Sequence, residues 1–225
     1  MKTIEQIENK IYENDGNTTL LSLVPPSSKF ILDVGCGAGG NAKRLKEMGK
    51  IVDGITLSDE ELKLASKYCR KVLKYNLENG LPSEIDSHYD VVICSHVLEH
   101  IAYPEKLLFD IKSKLKHEDS ILLIALPNFL SYRNRLKILF GNFDYEQYGI
   151  MDYTHLRFYT FKSAKLMIER NGFEVINAFA EKMLPWKTVL GHLPSSIQNL
   201  IATILVAISK GLFGSQLIYI ARPKL

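Results

Sequence analysis

Two short stretches of this 225-residue chain concentrate the residue types that move protons or hold metals. Ser95-His96-Val97-Leu98-Glu99-His100 sets two imidazoles and a carboxylate close together. Asp152-Tyr153-Thr154-His155-Leu156-Arg157-Phe158-Tyr159-Thr160 adds another imidazole, a guanidinium and several hydroxyls. If 96–100 is the first turn of a helix, His96, Glu99 and His100 stand at i, i+3 and i+4 and share a face. Two imidazoles and a carboxylate on one face form half of a divalent-metal site. An imidazole titrating near neutrality also suits a general base that takes the proton of a hydroxyl, a role open to His100 and His155. Arg157 either holds an anionic group of the substrate or pairs with Asp152.

A third stretch, Phe30-Ile-Leu-Asp-Val-Gly-Cys-Gly-Ala-Gly-Gly40, reads as strand, glycine turn and helix N-terminus, an entrance built for a nucleotide. Gly35, Gly37 and Gly40 satisfy G-x-G-x-x-G, and Asp53 follows at the distance expected of an NAD-type oxidoreductase. Asp33 argues against that reading. A carboxylate at the strand end repels a pyrophosphate seated on the helix N-terminus, whereas it attracts a ligand that carries an ammonium.

Leu32-Asp33-Val34-Gly35-Cys36-Gly37-Ala38-Gly39 resembles motif I of the class I S-adenosylmethionine-dependent methyltransferases, and the resemblance extends over about residues 15–180. It implies a cofactor-binding set of Asp33, Gly35, Gly37, Gly39, Thr56, Asn76, Leu77 and Ser95. The usual acidic residue at the end of the second strand, facing the ribose, is here Thr56 within Gly54-Ile-Thr-Leu-Ser58. That form is similar to cyclopropane-fatty-acid-synthase relatives, with Glu60 or Glu61 to supply an acceptor from the next turn. Asn76 stands where the family usually has an Asp facing the adenine amino group; alternatively it only opens the turn that follows.

Ubiquinone-biosynthesis O-methyltransferases and small-RNA 3′-terminal 2′-O-methyltransferases carry E-x-x-E-H at the place of 96–100. Similarity to them implies a divalent metal on His96, Glu99 and His100, with His155 as the fourth ligand; metal-free members of the family read V-L-E-H here. The 152–160 stretch resembles methyltransferases of bacterial glycan and secondary-metabolite pathways. That likeness implies a small-molecule hydroxyl acceptor, such as a sugar or a glycan or lipid precursor.

The elements that position these residues follow from periodicity. Strands are expected at 29–34, 50–58, 71–77, 89–94 and 121–126, each followed by a helix or turn, and a final strand pair at 173–176 and 216–221. The fold class is therefore α/β, a Rossmann-like doubly wound sheet of about seven strands with an antiparallel last strand. One domain spans 1–225, with 129–151 and 181–214 as substrate-cap or interface insertions. In front of it, Ile4, Ile7 and Ile11 share a helical face with Tyr12 beside it, a leader of the kind that folds over the cofactor.

The composition, 46% apolar and 24% charged, suits such a domain, and a net charge of +3 is too small to argue for nucleic acid. Three cysteines without metal-type spacing read as thiols of a reducing compartment, and the charged N-terminus is no signal peptide. A cytoplasmic location follows as the expectation, with a peripheral membrane contact as its variant. From Thr188 to Ser209 the chain has no charged residue, and Ile197, Leu200, Ile201, Ile204, Leu205 and Ile208 form a helical stripe. Pro194 and interspersed polar residues make a membrane span improbable, leaving a cleft cap, a homodimer face or a membrane-surface contact. The expected activity is methyl transfer from S-adenosylmethionine to a hydroxyl. An NAD-type oxidoreductase and a non-catalytic cofactor-binding protein are the alternatives.

Overall fold

A computed structural model describes residues 15–86, 88–185 and 190–224. The leader helix expected over 4–14, and Tyr12 with it, lies outside the described residues. Short apolar runs form the strands β1 (Phe30–Val34), β2 (Ile51–Thr56), β3 (Lys71–Lys74), β4 (Val91–Ser95) and β5 (Ile121–Pro127). Two longer strands, β6 (Phe173–Lys182) and β7 (Gly214–Pro223), close the chain. The helices are α1 (Thr18–Leu21), α2 (Gly40–Glu47), α3 (Asp59–Ala65), α4 (Pro104–Lys114), α5 (Tyr132–Leu139), α6 (Phe161–Arg170), α7 (Ser195–Ile208) and α8 (Lys210–Phe213).

The described strands form one sheet in the order β3-β2-β1-β4-β5-β7-β6. β1 to β5 run parallel, and β7 is antiparallel to both of its neighbours. The expected architecture is therefore the observed one. Because the sheet is covered on both sides, β1, β4 and β5 are buried almost along their whole length. One apolar layer joins Leu32, Val92, Leu122, Leu107, Ile111 and Ile168; the opposite layer joins Ile31, Ile93, Leu123, Leu20 and Leu45. The strand order reverses between β1 and β4, and ligands bind such sheets outside the carboxyl ends at that point. Asp33 and Ser95 both stand there.

Three boundaries differ from the sequence expectation. β3 stops at Lys74 because the Asn76 side chain accepts from Glu78 N at 3.0 Å and starts a 3-10 turn over Leu77–Asn79. After β4 the chain does not enter a regular helix: a 3-10 turn covers only Leu98–His100, and His96 before it has a left-handed backbone, φ 57°. β6 and β7 outrun their apolar cores, because the ladder continues through two register shifts to Lys182↔Gly214 with one face toward solvent. Local signals start the helices: Ser58 caps α3, Pro104 opens α4, and Thr160 with Ser163 forms a capping box on α6.

Arg133, Arg135 and Lys137 on α5 are exposed, the solvated basic face of a helix in the 129–151 insertion. On α7, Ile197, Leu200, Ile204 and Ile208 are exposed while Ala202 is buried. No helix of the described residues is long and apolar enough to cross a membrane.

Candidate active site

The cofactor end is built where β1 gives way to α2. Gly35, Gly37 and Gly39 all have positive φ, which lets the turn fold tightly under the helix N-terminus. At Gly39 (φ +89°) a Cβ would lie 2.9 Å from the Ala65 backbone, so α3 closes over the turn only because that residue is glycine. Asp33 is fully buried at the strand end. Asn41 Nδ2 donates to its Oδ1 at 3.3 Å, while Oδ2 has no hydrogen-bond partner among the described residues. Burial pushes the Asp33 carboxyl up to about 7, with the Asn41 amide pulling the other way. A buried carboxylate oxygen without a donor is costly unless a cation meets it, so this end fits a cofactor bearing an ammonium.

Along the neighbouring strand, Thr56 is buried and donates its hydroxyl to Glu61 Oε2, and Glu61 is itself buried on α3. The carboxylate that lies against Thr56 is thus that of Glu61, five positions later, and not that of the exposed Glu60. Asn76 uses its side-chain carbonyl on the turn at Glu78, so its structural role is the visible one. Leu77 packs half-buried against the main core. Ser95 accepts at Oγ from Asn17 Nδ2 at 3.3 Å. Asp53 is engaged elsewhere: Arg70 Nε donates to it at 2.9 Å and Tyr89 Oη at 2.6 Å. It is a structural ion pair, and the acidic residue that an NAD-type reading needs is not at the cofactor end.

The two reactive stretches converge. The Glu99 carbonyl accepts from Leu156 N at 2.8 Å and Arg157 N at 3.0 Å, and Arg157 Nε donates to the Ala102 carbonyl at 2.6 Å. Those backbone bonds bring Glu99, His100 and His155 together, with their ligating atoms all within 4.8 Å of one another. The His100 and His155 rings meet edge to face, 4.7 Å between centroids. His155 Nδ1 donates to the Ile150 carbonyl at 2.9 Å, and His100 Nδ1 to the Thr154 carbonyl at 3.2 Å. A carbonyl can only accept, so in both rings the proton sits on Nδ1 and the lone pair on Nε2. Thr154 is itself held by Asp152 Oδ1, at 2.9 Å from its backbone N and 2.8 Å from its hydroxyl.

Glu99 is fully buried, with Oε1 in an ion pair 3.3 Å from His96 Nδ1 and neither oxygen hydrogen-bonded among the described residues. Burial alone would raise its carboxyl; the contact with His96 and the nearby His100 outweigh it and hold it below the ordinary value. Burial lowers His100 and keeps it neutral at pH 7, against the opposing pull of Glu99. For His96 desolvation disfavours the charge, but Glu99, Gln216 and Glu181 win and raise it. His96 is therefore the one expected metal ligand that the structure does not gather with the others. Its backbone is left-handed, and its two ring nitrogens are already engaged, Nδ1 beside Glu99 Oε1 and Nε2 donating to Gln216 Oε1 at 2.9 Å. The donor set of Glu99, His100 and His155 fits a divalent ion: one carboxylate, two Nε2 lone pairs, and ring N–H groups already fixed on backbone carbonyls.

A narrow indentation beside this cluster is lined by Glu99, His155, Arg157 and Tyr159 on its polar side and by Pro127, Phe129, Ile150 and Phe158 on the other. Phe129 and Phe158 lie 4.5 Å apart, centroid to centroid. In sequence these apolar residues carry only positional signals: Pro127 ends β5 and Phe129 follows it, Ile150 falls late in the 129–151 insertion, and Phe158 lies in the 152–160 stretch. Arg133, Arg135 and Lys137 stay outside this lining.

A family model described as a methyltransferase domain matches residues 6–178. The mitochondrial ubiquinone biosynthesis O-methyltransferase of Schizosaccharomyces pombe is 31% identical over 113 residues, 48% of this chain and 41% of that protein. The ubiquinone biosynthesis O-methyltransferase of Nitrosospira multiformis is 39% identical over 83 residues, 35% of each. The matched stretch thus spans less than half the length of either relative. Among solved structures, an S-adenosylmethionine-dependent methyltransferase from Archaeoglobus fulgidus superposes with a TM-score of 0.63 at 23% identity, covering 88% of this chain and 87% of the other.

Proposed function

The chain belongs to the class I S-adenosylmethionine-dependent methyltransferases, and we propose that it methylates a hydroxyl of a small molecule bound beside His155. S-adenosylmethionine supplies an activated methyl group, so the chain's own task is to seat the two partners and to manage one proton. One observation carries the reading: Glu99, His100 and His155 meet next to the strand end that precedes the 3-10 turn, on the same sheet edge as Asp33.

Asp33 Oδ2 takes the ammonium of the cofactor, the positive-φ glycines admit its sulfur end, and Thr56 with Glu61 faces its ribose. At the other end, neutral His100 and His155 offer Nε2 lone pairs to the acceptor's hydroxyl proton. Glu99, kept ionised by its imidazole neighbours, favours the positive charge that such a transfer places on a ring. If a divalent ion is bound, the same three residues hold it, and it lowers the pKa of a hydroxyl brought to it. Arg157, on the polar side of the indentation, meets an anionic group of the acceptor. The acceptor is a sugar or a glycan or lipid precursor. The apolar wall of Phe129, Ile150 and Phe158 favours the lipid-precursor side of that range, in keeping with the ubiquinone pathway named for the relatives.

The test is release of S-adenosylhomocysteine from S-adenosylmethionine across nucleotide sugars, free glycans and prenylated phenols, each with and without EDTA. Turnover with at least one hydroxyl acceptor, lost in His155→Ala and His100→Ala, supports the reading. EDTA sensitivity reversed by a divalent ion assigns the cluster to a metal, and full activity under chelation leaves the histidines as bases. Turnover that survives both alanine variants removes the cluster from the chemistry. No turnover with any acceptor, alongside tight cofactor binding, favours a non-catalytic cofactor-binding protein.

A further inference from the structure

The Asp33 carboxylate does not stand alone at the end of β1. Its orientation depends on Asn41, whose Nδ2 donates to Asp33 Oδ1 at 3.3 Å. An amide side chain can present either end, and here the choice is forced: Asn17 donates its backbone N–H to Asn41 Oδ1 at 2.8 Å. A carbonyl oxygen must face that N–H, so the Asn41 NH2 is turned toward Asp33. The close approach that makes this contact rests on Gly16 (φ +83°), where a Cβ would lie 2.9 Å from the Gly40 carbonyl oxygen.

Asn17 is fixed in turn from the far end of the chain. Its Nδ2 donates to Gln216 Oε1 at 2.9 Å, and Gln216 Nε2 returns a bond to Asn17 Oδ1 at 3.3 Å. Gln216 is saturated: Oε1 also accepts from His96 Nε2 at 2.9 Å, and Nε2 also donates to Glu181 Oε2 at 3.0 Å. One side-chain amide on β7 therefore joins the N-terminus of α1, the end of β4 and the end of β6. From it an unbroken hydrogen-bonded path leads through Asn17 and Asn41 to Asp33. A second branch leads through His96 to Glu99. Both paths end on a buried carboxylate with an oxygen that has no hydrogen-bond partner among the described residues.

We propose that Gln216 and Asn17 are positioning residues for the amino-acid end of the cofactor, holding Asn41, and through it Asp33, in the orientation that leaves Oδ2 for the ammonium. The inference rests on the reading that Asp33 meets that ammonium. Neither residue touches the methyl group or the acceptor in this role; they set where the Asp33 oxygen points.

The experiment compares two probes by titration calorimetry on the full chain. S-adenosylhomocysteine carries the amino-acid end, and 5′-methylthioadenosine has the same nucleoside and sulfur without it. Gln216→Leu removes the amide at similar size. Asn17→Ser keeps a side-chain oxygen able to cap α1 but cannot reach Gln216 as the amide does. Both variants should weaken S-adenosylhomocysteine by about 5–10-fold, the scale of one lost positioning hydrogen bond, with 5′-methylthioadenosine within about twofold of wild type. Asp33→Asn, run beside them, should weaken the first probe more strongly and spare the second. If Asp33→Asn does so while Gln216→Leu and Asn17→Ser bind both probes as wild type does, the positioning role is refuted and the Asp33 reading stands. If the two variants weaken both probes alike, their contribution is to the fold alone and the proposal is again refuted. If Asp33→Asn leaves S-adenosylhomocysteine unchanged, the reading of Asp33 falls, and the inference with it.

Discussion

Asp33 and Glu99 are both fully buried carboxylates at the carboxyl ends of adjacent parallel strands, with one oxygen of Asp33 and both of Glu99 lacking a hydrogen-bond donor among the described residues, yet their electrostatic situations are opposite. Around Asp33 the only side-chain partner among the described residues is the neutral Asn41 amide, and burial pushes its carboxyl up to about 7. Around Glu99 stand His96 and His100, and they overcome a comparable burial to keep its carboxyl below the ordinary value. The difference is one of supplied charge. Glu99 has its countercharge within the fold, whereas among the described residues Asp33 has none and is left to receive it from a ligand. A site of the first kind is ready for proton or metal chemistry before anything binds; a site of the second kind selects a cation and gains most from it.

If that contrast holds, the two carboxylates separate by assay. Glu99→Gln should lower methyl transfer by roughly 100-fold or more, since it removes the charge that supports His100 and His155. Affinity for S-adenosylhomocysteine should stay within about twofold, because Glu99 is on the acceptor side. A parallel loss of affinity would mean that Glu99 belongs to the cofactor end. Asp33→Asn is the mirror experiment, with cofactor affinity falling on the order of 10–100-fold by calorimetry. The unliganded variant should also be more stable than wild type at pH 8, because it no longer buries an unpaired charge. For a chain of this size each kcal/mol gained appears as roughly 2–4 °C in Tm. An unliganded variant that melts lower than wild type at pH 8 would show that Asp33 already has its countercharge.

The same two carboxylates show what the sequence could and could not disclose. Asp33, the glycine turn and the strand positions were legible, because each is local: a strand pattern, a turn that needs positive φ, a carboxylate at a fixed offset. The meeting of 95–100 with 152–160 was legible only in part. Both stretches carried the right residue types, but their contact depends on the Glu99 carbonyl accepting from Leu156 and Arg157, which no periodicity announces. His96 was misplaced for a related reason. Helical spacing put it with Glu99 and His100 as a ligand; it does lie beside Glu99, but Gln216, 120 residues away, takes its other ring nitrogen. Thr56 broke the expected acidic pattern in sequence, yet the Glu61 carboxylate lies against it in space. Gln216 and Asn17 had no signal at all, since an amide in a strand and a helix cap look ordinary until their four-way network is seen.

Proton linkage gives a smaller effect with a definite sign. The Asp33 carboxyl lies at about 7 in the unliganded fold against 3.8 ordinarily, so between those values the folded protein holds a proton that the unfolded chain has released. The contribution of Asp33 to stability is thus fully present below about pH 3.8 and is lost as pH rises through about 7. Cofactor binding runs the other way, because only the ionised carboxyl attracts an ammonium. S-adenosylhomocysteine affinity should therefore weaken by just under tenfold between pH 7.5 and pH 6, and 5′-methylthioadenosine affinity should not follow it. A flat profile for both probes would place the Asp33 ionisation well below this window and collapse its contrast with Glu99.

The smallest effect is expected at the ribose end, where the contrast has a third member. Glu61 is buried like Asp33 and Glu99, but it has a hydroxyl donor in Thr56, so it needs neither a ligand cation nor an imidazole to be satisfied. Glu61→Gln should weaken binding only about 2–5-fold, the scale of a hydrogen bond that a neutral amide replaces in part. It should weaken S-adenosylhomocysteine and 5′-methylthioadenosine equally, since both carry the ribose. An effect on the first probe alone would move Glu61 to the amino-acid end and make it a partner of Asp33. An equal effect leaves Asp33 as the carboxylate whose charge is answered only by the cofactor.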